Sequence, residues 1–177
     1  MKKLLTAFYC LPLWASTASI IVAIVLWFSL MYLIRRNKRL VKLVSGVSLI
    51  VSLIVIISAT ILSRQRGSYT VHLALLSQFW VEDYDLDTAI RPMLMNVFLF
   101  LPFGMSLSYM LPDRLCLKTN WILVAASAFL LSLLLETAQY CLLVGNFETD
   151  DILCNTVGAL LGMVPLAIQT ESKKRRS

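Results

Sequence analysis

The strongest constraint on this chain is the length of its apolar runs. Several of them reach the roughly 18–20 residues that a helix needs to cross a lipid bilayer. Hydrophobic residues make up 59% of the 177 residues, against roughly 45–50% in ordinary globular chains. The runs are continuous rather than periodic, which disfavours a soluble amphipathic fold. The sequence therefore predicts an all-α, integral membrane helical bundle.

Five transmembrane helices are predicted, at residues 13–34, 40–62, 93–111, 121–144 and 152–168. The chain begins like a signal peptide, but its first apolar run continues to Ile34, which favours an uncleaved span. We divide the chain into two N-terminal spans at 1–62, a loop at 63–92, a three-helix core at 93–168 and a basic tail at 169–177. The loop mixes aromatic and acidic residues, which predicts an extracellular or interfacial segment.

The basic residues predict how the bundle is oriented. With five spans, three basic clusters can face the cytoplasm together, as short cytoplasmic loops do. We therefore expect the N-terminus outside and the C-terminus inside. The net charge of +6 then reflects membrane anchoring rather than nucleic-acid binding. The clusters are Arg35, Arg36, Lys38, Arg39 and Lys42; Arg114 and Lys118; and Lys173, Lys174, Arg175 and Arg176.

Metal and cofactor chemistry have little support in the sequence. The chain has four cysteines without a CxxC motif and one histidine, which argues against a zinc site. Cys141 and Cys154 flank one turn and could pair in an oxidising compartment, although packing as small apolar residues is the simpler interpretation. We predict no cofactor and no metal. The weak candidates for Mg²⁺ or Ca²⁺, which prefer oxygen ligands, are the acidic residues Glu148, Asp150 and Asp151.

Polar residues inside the spans are predicted to gather in the outer half of the membrane. A rise of about 1.5 Å per residue places Glu136 roughly 12 Å, and Asn155 roughly 6 Å, below the outer ends of their helices. We expect nothing comparable in the inner half. The predicted layer contains Asn96, Glu136, Gln139, Asp151 and Asn155.

Helical spacing puts these residues on shared faces. Glu136 and Gln139 are three residues apart on one face, and Asp151, Asn155, Gly158 and Gly162 also share a face. The glycines allow a close helix contact, within the chain or in a homo-oligomer, and Pro102 interrupts the ladder of its helix. Both faces can equally be a packing seam. Glu136 should nevertheless face the bundle interior, with Arg91 as a candidate partner, because a carboxyl group facing lipid is costly.

Three motifs carry a family resemblance. NVFLFLPFG at 96–104, LLETAQ at 134–139 and GNFETDDILCNTVGALLG at 145–162 together resemble the VanZ-like family, named for a protein that gives low-level teicoplanin resistance. The resemblance spans 91–162 and leaves the first two spans without a named motif. It implies a bacterial plasma-membrane protein. The polar and small residues that it carries over are Asn96, Pro102, Gly104, Glu136, Gln139, Asp151, Asn155, Gly158 and Gly162.

Three functions remain open at this point. The first is non-enzymatic binding of an amphiphile or a lipid-linked wall intermediate at the outer leaflet, with Phe100, Phe103 and the aromatic loop holding its tail. The second is an enzyme that modifies an envelope lipid or peptide, with Glu136 as general acid or base. The third is a small transporter or a subunit of an envelope complex, for which a homodimer would supply further helices.

Overall fold

The computed structural model describes residues 25–27, 29–30, 36–62, 71–72 and 86–175. The first predicted span lies mostly outside these residues, although 25–27 and 29–30 are helical. Most of the predicted loop also lies outside them. The described elements are α1 (Lys38–Ile57), a π-helical turn (Ser58–Leu62), β1 (Val71–His72), α2 (Leu86–Met110), α3 (Leu117–Cys141), β2 (Phe147–Glu148), α4 (Thr149–Gly162) and α5 (Val164–Lys174).

The described residues form a helical membrane bundle, as the apolar runs predict. Four helical stretches in this part of the chain are long and apolar enough to cross a bilayer. They coincide with the second to fifth predicted spans. Only Met163 separates α4 from α5, so the two helices together make the last stretch. The four stretches are Lys38–Ile61, Ile90–Met110, Leu117–Cys141 and Thr149–Ser172.

Helix α2 differs from its predicted span in two ways. It begins at Leu86, so the last residues of the expected loop are helical. It also continues through Pro92 and Pro102, although a proline removes a backbone donor from the ladder. Neighbouring helices make such prolines tolerable in membranes because they satisfy or bury the freed carbonyl groups.

The backbones of α2 and α4 approach each other closely. A Cβ atom added to Gly158 would collide with the backbone carbonyl of Val97. One added to Gly104 would meet the carbonyl of Ala159, and one added to Gly162 would meet that of Leu101. The glycine face of α4 is therefore covered within the chain by α2. Small residues at such seams let helices approach far enough for dense packing in lipid.

Apolar side chains fill the space between the helices. Phe100 and Phe103 on α2 pack edge to face, with ring centroids 5.8 Å apart, and both are buried. They belong to the core with Val124 and Ala128 of α3. The sequence-based expectation that these two phenylalanines hold a ligand's tail therefore places them wrongly. Large apolar side chains on the outer faces of α1 and α3, by contrast, are exposed, as lipid-facing residues are.

Basic residues gather at one end of the bundle. Lys42 Nζ donates to the carbonyls of Met110 and Leu111, at 3.1 and 2.7 Å, and so caps the C-terminus of α2. Gln169 of α5 donates to Tyr109 Oη at 2.7 Å. These contacts bring the start of α1, the end of α2 and α5 together. Their shared end is the one that the charge pattern predicts to be cytoplasmic.

Replacing Gly158 with alanine should destabilise the bundle, because the new methyl group meets backbone that cannot move aside. We expect a loss of at least about 1–3 kcal/mol, the range typical of overpacking, or a change in helix packing. Gly46→Ala is the matched control, since in the described part of the chain its Cβ would meet the flexible side chain of Met110, at 3.6 Å, and no backbone atom. That change should be neutral or stabilising by up to about 1 kcal/mol. Denaturation of both variants in detergent measures the difference, and equal stabilities would contradict the proposed backbone contact.

Replacing Lys42 with methionine should cost about 1 kcal/mol, because two carbonyl groups at the end of α2 lose a charged donor. Lys38→Met should cost less, since its partner among the described residues is the exposed Asp113 carboxylate, at 2.8 Å. The hydrogen bond from Lys38 holds the pKa of Asp113 below its ordinary value. The stabilisation from this pair is therefore present at neutral pH and disappears as the pH falls through that lowered pKa. Unfolding of both variants at pH 7 and at acidic pH tests this order.

Candidate functional site

Three polar side chains are buried where α3, α4 and the end of α1 meet. Glu136 and Gln139 lie on α3 and are 3% and 1% exposed. Asn155 lies on α4 and is 3% exposed. We call Glu136, Gln139 and Asn155 the polar layer. It lies near the α3–α4 turn, at the end of the bundle opposite the basic clusters.

Glu136 joins the two helices that flank this turn. Its Oε2 accepts the backbone N–H of Glu148 at 3.0 Å. Glu148 is the N-cap residue of α4, and its own side chain makes no capping hydrogen bond. The carboxyl group of Glu136 therefore caps α4 from a neighbouring helix, where the helix dipole favours an anion.

The turn after α3 brings the backbone N–H of Glu148 to Glu136. Val144 N–H bonds to the carbonyl of Gln139 at 3.0 Å, and Leu143 N–H bonds to that of Tyr140 at 3.2 Å. This pair of bonds is the Schellman motif, in which the residue after the C-cap is left-handed and usually glycine. Here that residue is Leu143, with φ 56°. The left-handed conformation reverses the chain, so that Glu148 returns to Glu136, twelve residues earlier.

Gln139 connects α3 to the π-helical turn that ends α1. Its Nε2 donates to the backbone carbonyl of Thr60 at 2.9 Å. π-Helical turns are rare and occur often at functional sites. Gln139 Oε1 is sealed from solvent, and no donor in the described residues reaches it. The amide NH₂ group of Gln139 is thus bonded to Thr60, while its amide oxygen has no donor in the described part of the chain.

Asn155 repeats this pattern on the other side of Glu136. Its Nδ2 donates at 2.8 Å to Oγ of Ser132, a fully buried residue on the same face of α3 as Glu136. Asn155 Oδ1 is buried and, within the described part of the chain, has no hydrogen-bond donor. The polar layer therefore contains two buried amide oxygens without partners, a costly arrangement.

The remaining predicted residues lie around this layer. Asn96 and Arg91 on α2 are half-buried, as are Asp150 and Asp151 in the first turn of α4. Arg91 stays a predicted partner of Glu136. Cys141 and Cys154 are both free thiols, and Cys154 is buried. Among the described residues, no three His, Cys, Asp or Glu side chains gather as metal ligands, and this includes the acidic turn.

Several polar groups of the site were not predicted from the sequence. Ser132 could have been found, because it precedes Glu136 by four residues and so shares its helical face. The carbonyl of Thr60 has no sequence signal. The inner half also contains buried polar groups that the sequence analysis does not name. There, Asn120 is buried, and Ser106 on α2 donates to Ser48 on α1 at 2.9 Å.

Comparison with known proteins assigns the chain to a family. The family model described as VanZ/LLP1 matches residues 20–168, which is most of the chain. The chain belongs to the VanZ/LLP1 family. The match starts far upstream of Arg91, so membership extends over the N-terminal part that carries no named motif. Comparisons with curated proteins and with solved structures return no match. For this VanZ-family protein, the structure of the site therefore carries the functional argument.

Two replacements of Glu136 should separate its structural role from any role of its charge. Glutamine keeps an acceptor oxygen for the N–H of Glu148, whereas leucine removes it. We expect Glu136→Leu to lose about 1–3 kcal/mol, because a buried backbone donor is left unsatisfied, and Glu136→Gln to lose clearly less. Thermal unfolding in detergent measures both variants. Equal losses would show that the Glu148 hydrogen bond contributes little to stability.

Proposed function

We propose that this VanZ-family protein binds an amphiphile or a lipid-linked wall intermediate at the outer leaflet of the bacterial plasma membrane. The observation that carries the proposal is the polar layer, with its buried carboxyl group and its two unsatisfied amide oxygens. Intramembrane ionisable groups are costly and usually functional. Helix packing alone would be served at lower cost by apolar residues.

The position of the polar layer supports binding at the outer leaflet. The basic residues of α1, the α2–α3 loop and α5 lie at the opposite end of the bundle. By the positive-inside rule, we assign that end to the cytoplasm and the polar layer to the outer surface. A ligand anchored in the outer leaflet would carry its polar head at this depth.

The apolar part of such a ligand would lie against the outside of the bundle. Phe100 and Phe103 are in the core and cannot serve this purpose. Exposed apolar side chains on α3 and α4 lie near the polar layer instead, among them Leu134 on α3 and Leu153 and Val157 on α4. They would contact an acyl chain that remains in the lipid while its head reaches the layer.

Low-level resistance to teicoplanin is the physiological effect that we propose. Teicoplanin carries a fatty chain and acts at the outer membrane face on lipid-linked wall precursors. A protein that binds either partner there would lower the drug's access to its target. Vancomycin, a glycopeptide without such a chain, is the comparison drug.

Susceptibility of a sensitive host tests this proposal. We expect the wild-type protein to raise the inhibitory concentration of teicoplanin more than that of vancomycin, and Asn155→Leu to lose this effect. Asn120→Leu is the matched control, because Asn120 is also a buried amide with an unsatisfied Oδ1 but lies at the other end of α3. Membrane levels of all variants must be equal. Unchanged susceptibility to both drugs, or an effect that survives Asn155→Leu, would contradict the proposal.

Lipid profiles of the same strains separate binding from catalysis. Binding leaves the set of envelope lipids unchanged. A new lipid species that depends on Glu136 would favour the enzyme hypothesis instead.

A further inference from the structure

We infer that the polar layer recognises a primary ammonium group, held by the Glu136 carboxyl group and the amide oxygens of Gln139 and Asn155. This inference rests on the proposed function, because it names the chemistry of the head group that the layer binds. It excludes an anionic phosphate as the group in direct contact with the layer.

The first argument is the hydrogen-bonding character of the layer. Both amide NH₂ groups already donate, to Thr60 O and to Ser132 Oγ. Their oxygens have no donor in the described part of the chain, and a carboxylate can only accept. An occupant that satisfies these atoms must therefore donate hydrogen bonds. Phosphate oxygens would add further acceptors and leave both amide oxygens unsatisfied.

The second argument is spacing. Ser132, Glu136 and Gln139 follow one face of α3, with rises of about 6 Å and about 4.5 Å between them. Asn155 is fixed to Ser132, so the two unsatisfied oxygens lie on either side of Glu136 along this face. A primary ammonium group carries three N–H donors in a compact head. One such group bound at Glu136 would keep donors for the amide oxygens on either side of it.

The third argument is local charge. At this end of the bundle the described carboxyl groups are those of Glu136, Glu148, Asp150 and Asp151, whereas the described basic side chain is Arg91. A cation is therefore favoured over an anion. The N-terminus of α4 would ordinarily attract an anion, but Glu136 already occupies it through the N–H of Glu148.

An ammonium group could reach the layer from two sources. One is the head group of a lipid such as phosphatidylethanolamine, and the other is a free, water-soluble amine. Phosphatidylcholine is the informative comparison, because it has the same charge and phosphate but its quaternary nitrogen has no N–H donor. Phosphatidylglycerol adds a net negative charge.

Lipid retention by the purified full-length protein tests the inference. The protein is equilibrated with equal amounts of the three lipids, matched in acyl chains, and bound lipid is measured by native mass spectrometry. We expect phosphatidylethanolamine to be retained about tenfold over phosphatidylcholine, since each satisfied buried acceptor favours binding by up to about this factor. Ethanolamine and choline are then added as soluble competitors. Displacement by millimolar ethanolamine alone would assign the site to free amines, and resistance to it would assign the site to the lipid.

Two variants locate the effect. Asn155→Leu and Gln139→Met should each reduce the preference for phosphatidylethanolamine several-fold, whereas the control Asn120→Leu should leave it unchanged. Equal retention of phosphatidylethanolamine and phosphatidylcholine by the wild-type protein would overturn the inference, and this result needs no variant to fold.

The same data distinguish this inference from the proposed function. Lipid retention that Asn155→Leu abolishes, without a preference for N–H donors, would overturn the ammonium inference alone. Absence of specific retention of any lipid, together with unchanged teicoplanin susceptibility, would overturn both.

Discussion

The backbone contact between α2 and α4 is the constraint on which the rest of the structure depends. In lipid, apolar surface gives little drive for helices to associate, so close backbone packing must supply it. Gly104, Gly158 and Gly162 permit that approach. With α4 fixed on α2, its first turn is held beside the end of α3, and Asn155 reaches Ser132. The apolar seam thus determines where the polar layer forms.

The polar layer links α3 to α4 and to the end of α1. Glu136 caps α4, Gln139 links α3 to the end of α1, and Asn155 links α4 to α3. Each of these hydrogen bonds uses only some of the donors or acceptors of its side chain. In both amides the donor serves the fold and the acceptor remains unsatisfied. The side chains that hold these helices together therefore also present acceptor oxygens that the described part of the chain does not use.

Much of this architecture was predictable from the sequence, because span length and glycine spacing depend on local patterns. The four described spans, and the burial of Glu136, Gln139 and Asn155, follow from apolar runs and helical periodicity. The partners of these side chains do not. Gln139 bonds to a backbone carbonyl, and Glu136 to a backbone N–H, neither of which depends on residue type. The burial of Phe100 in the core was not predicted, because periodicity shows which face of a helix is apolar but not which neighbouring helix covers that face.

Leu143 shows what the α3–α4 turn costs. A non-glycine residue in the left-handed region is strained by roughly 1–2 kcal/mol, and glycine would relieve that strain. The side chain of Leu143 is 42% exposed, so burial against the described residues offsets little of this cost. The strain belongs instead to the path of the backbone, because this reversal returns Glu148 to the carboxyl group of Glu136. The cap of α4 is therefore obtained together with backbone strain at Leu143.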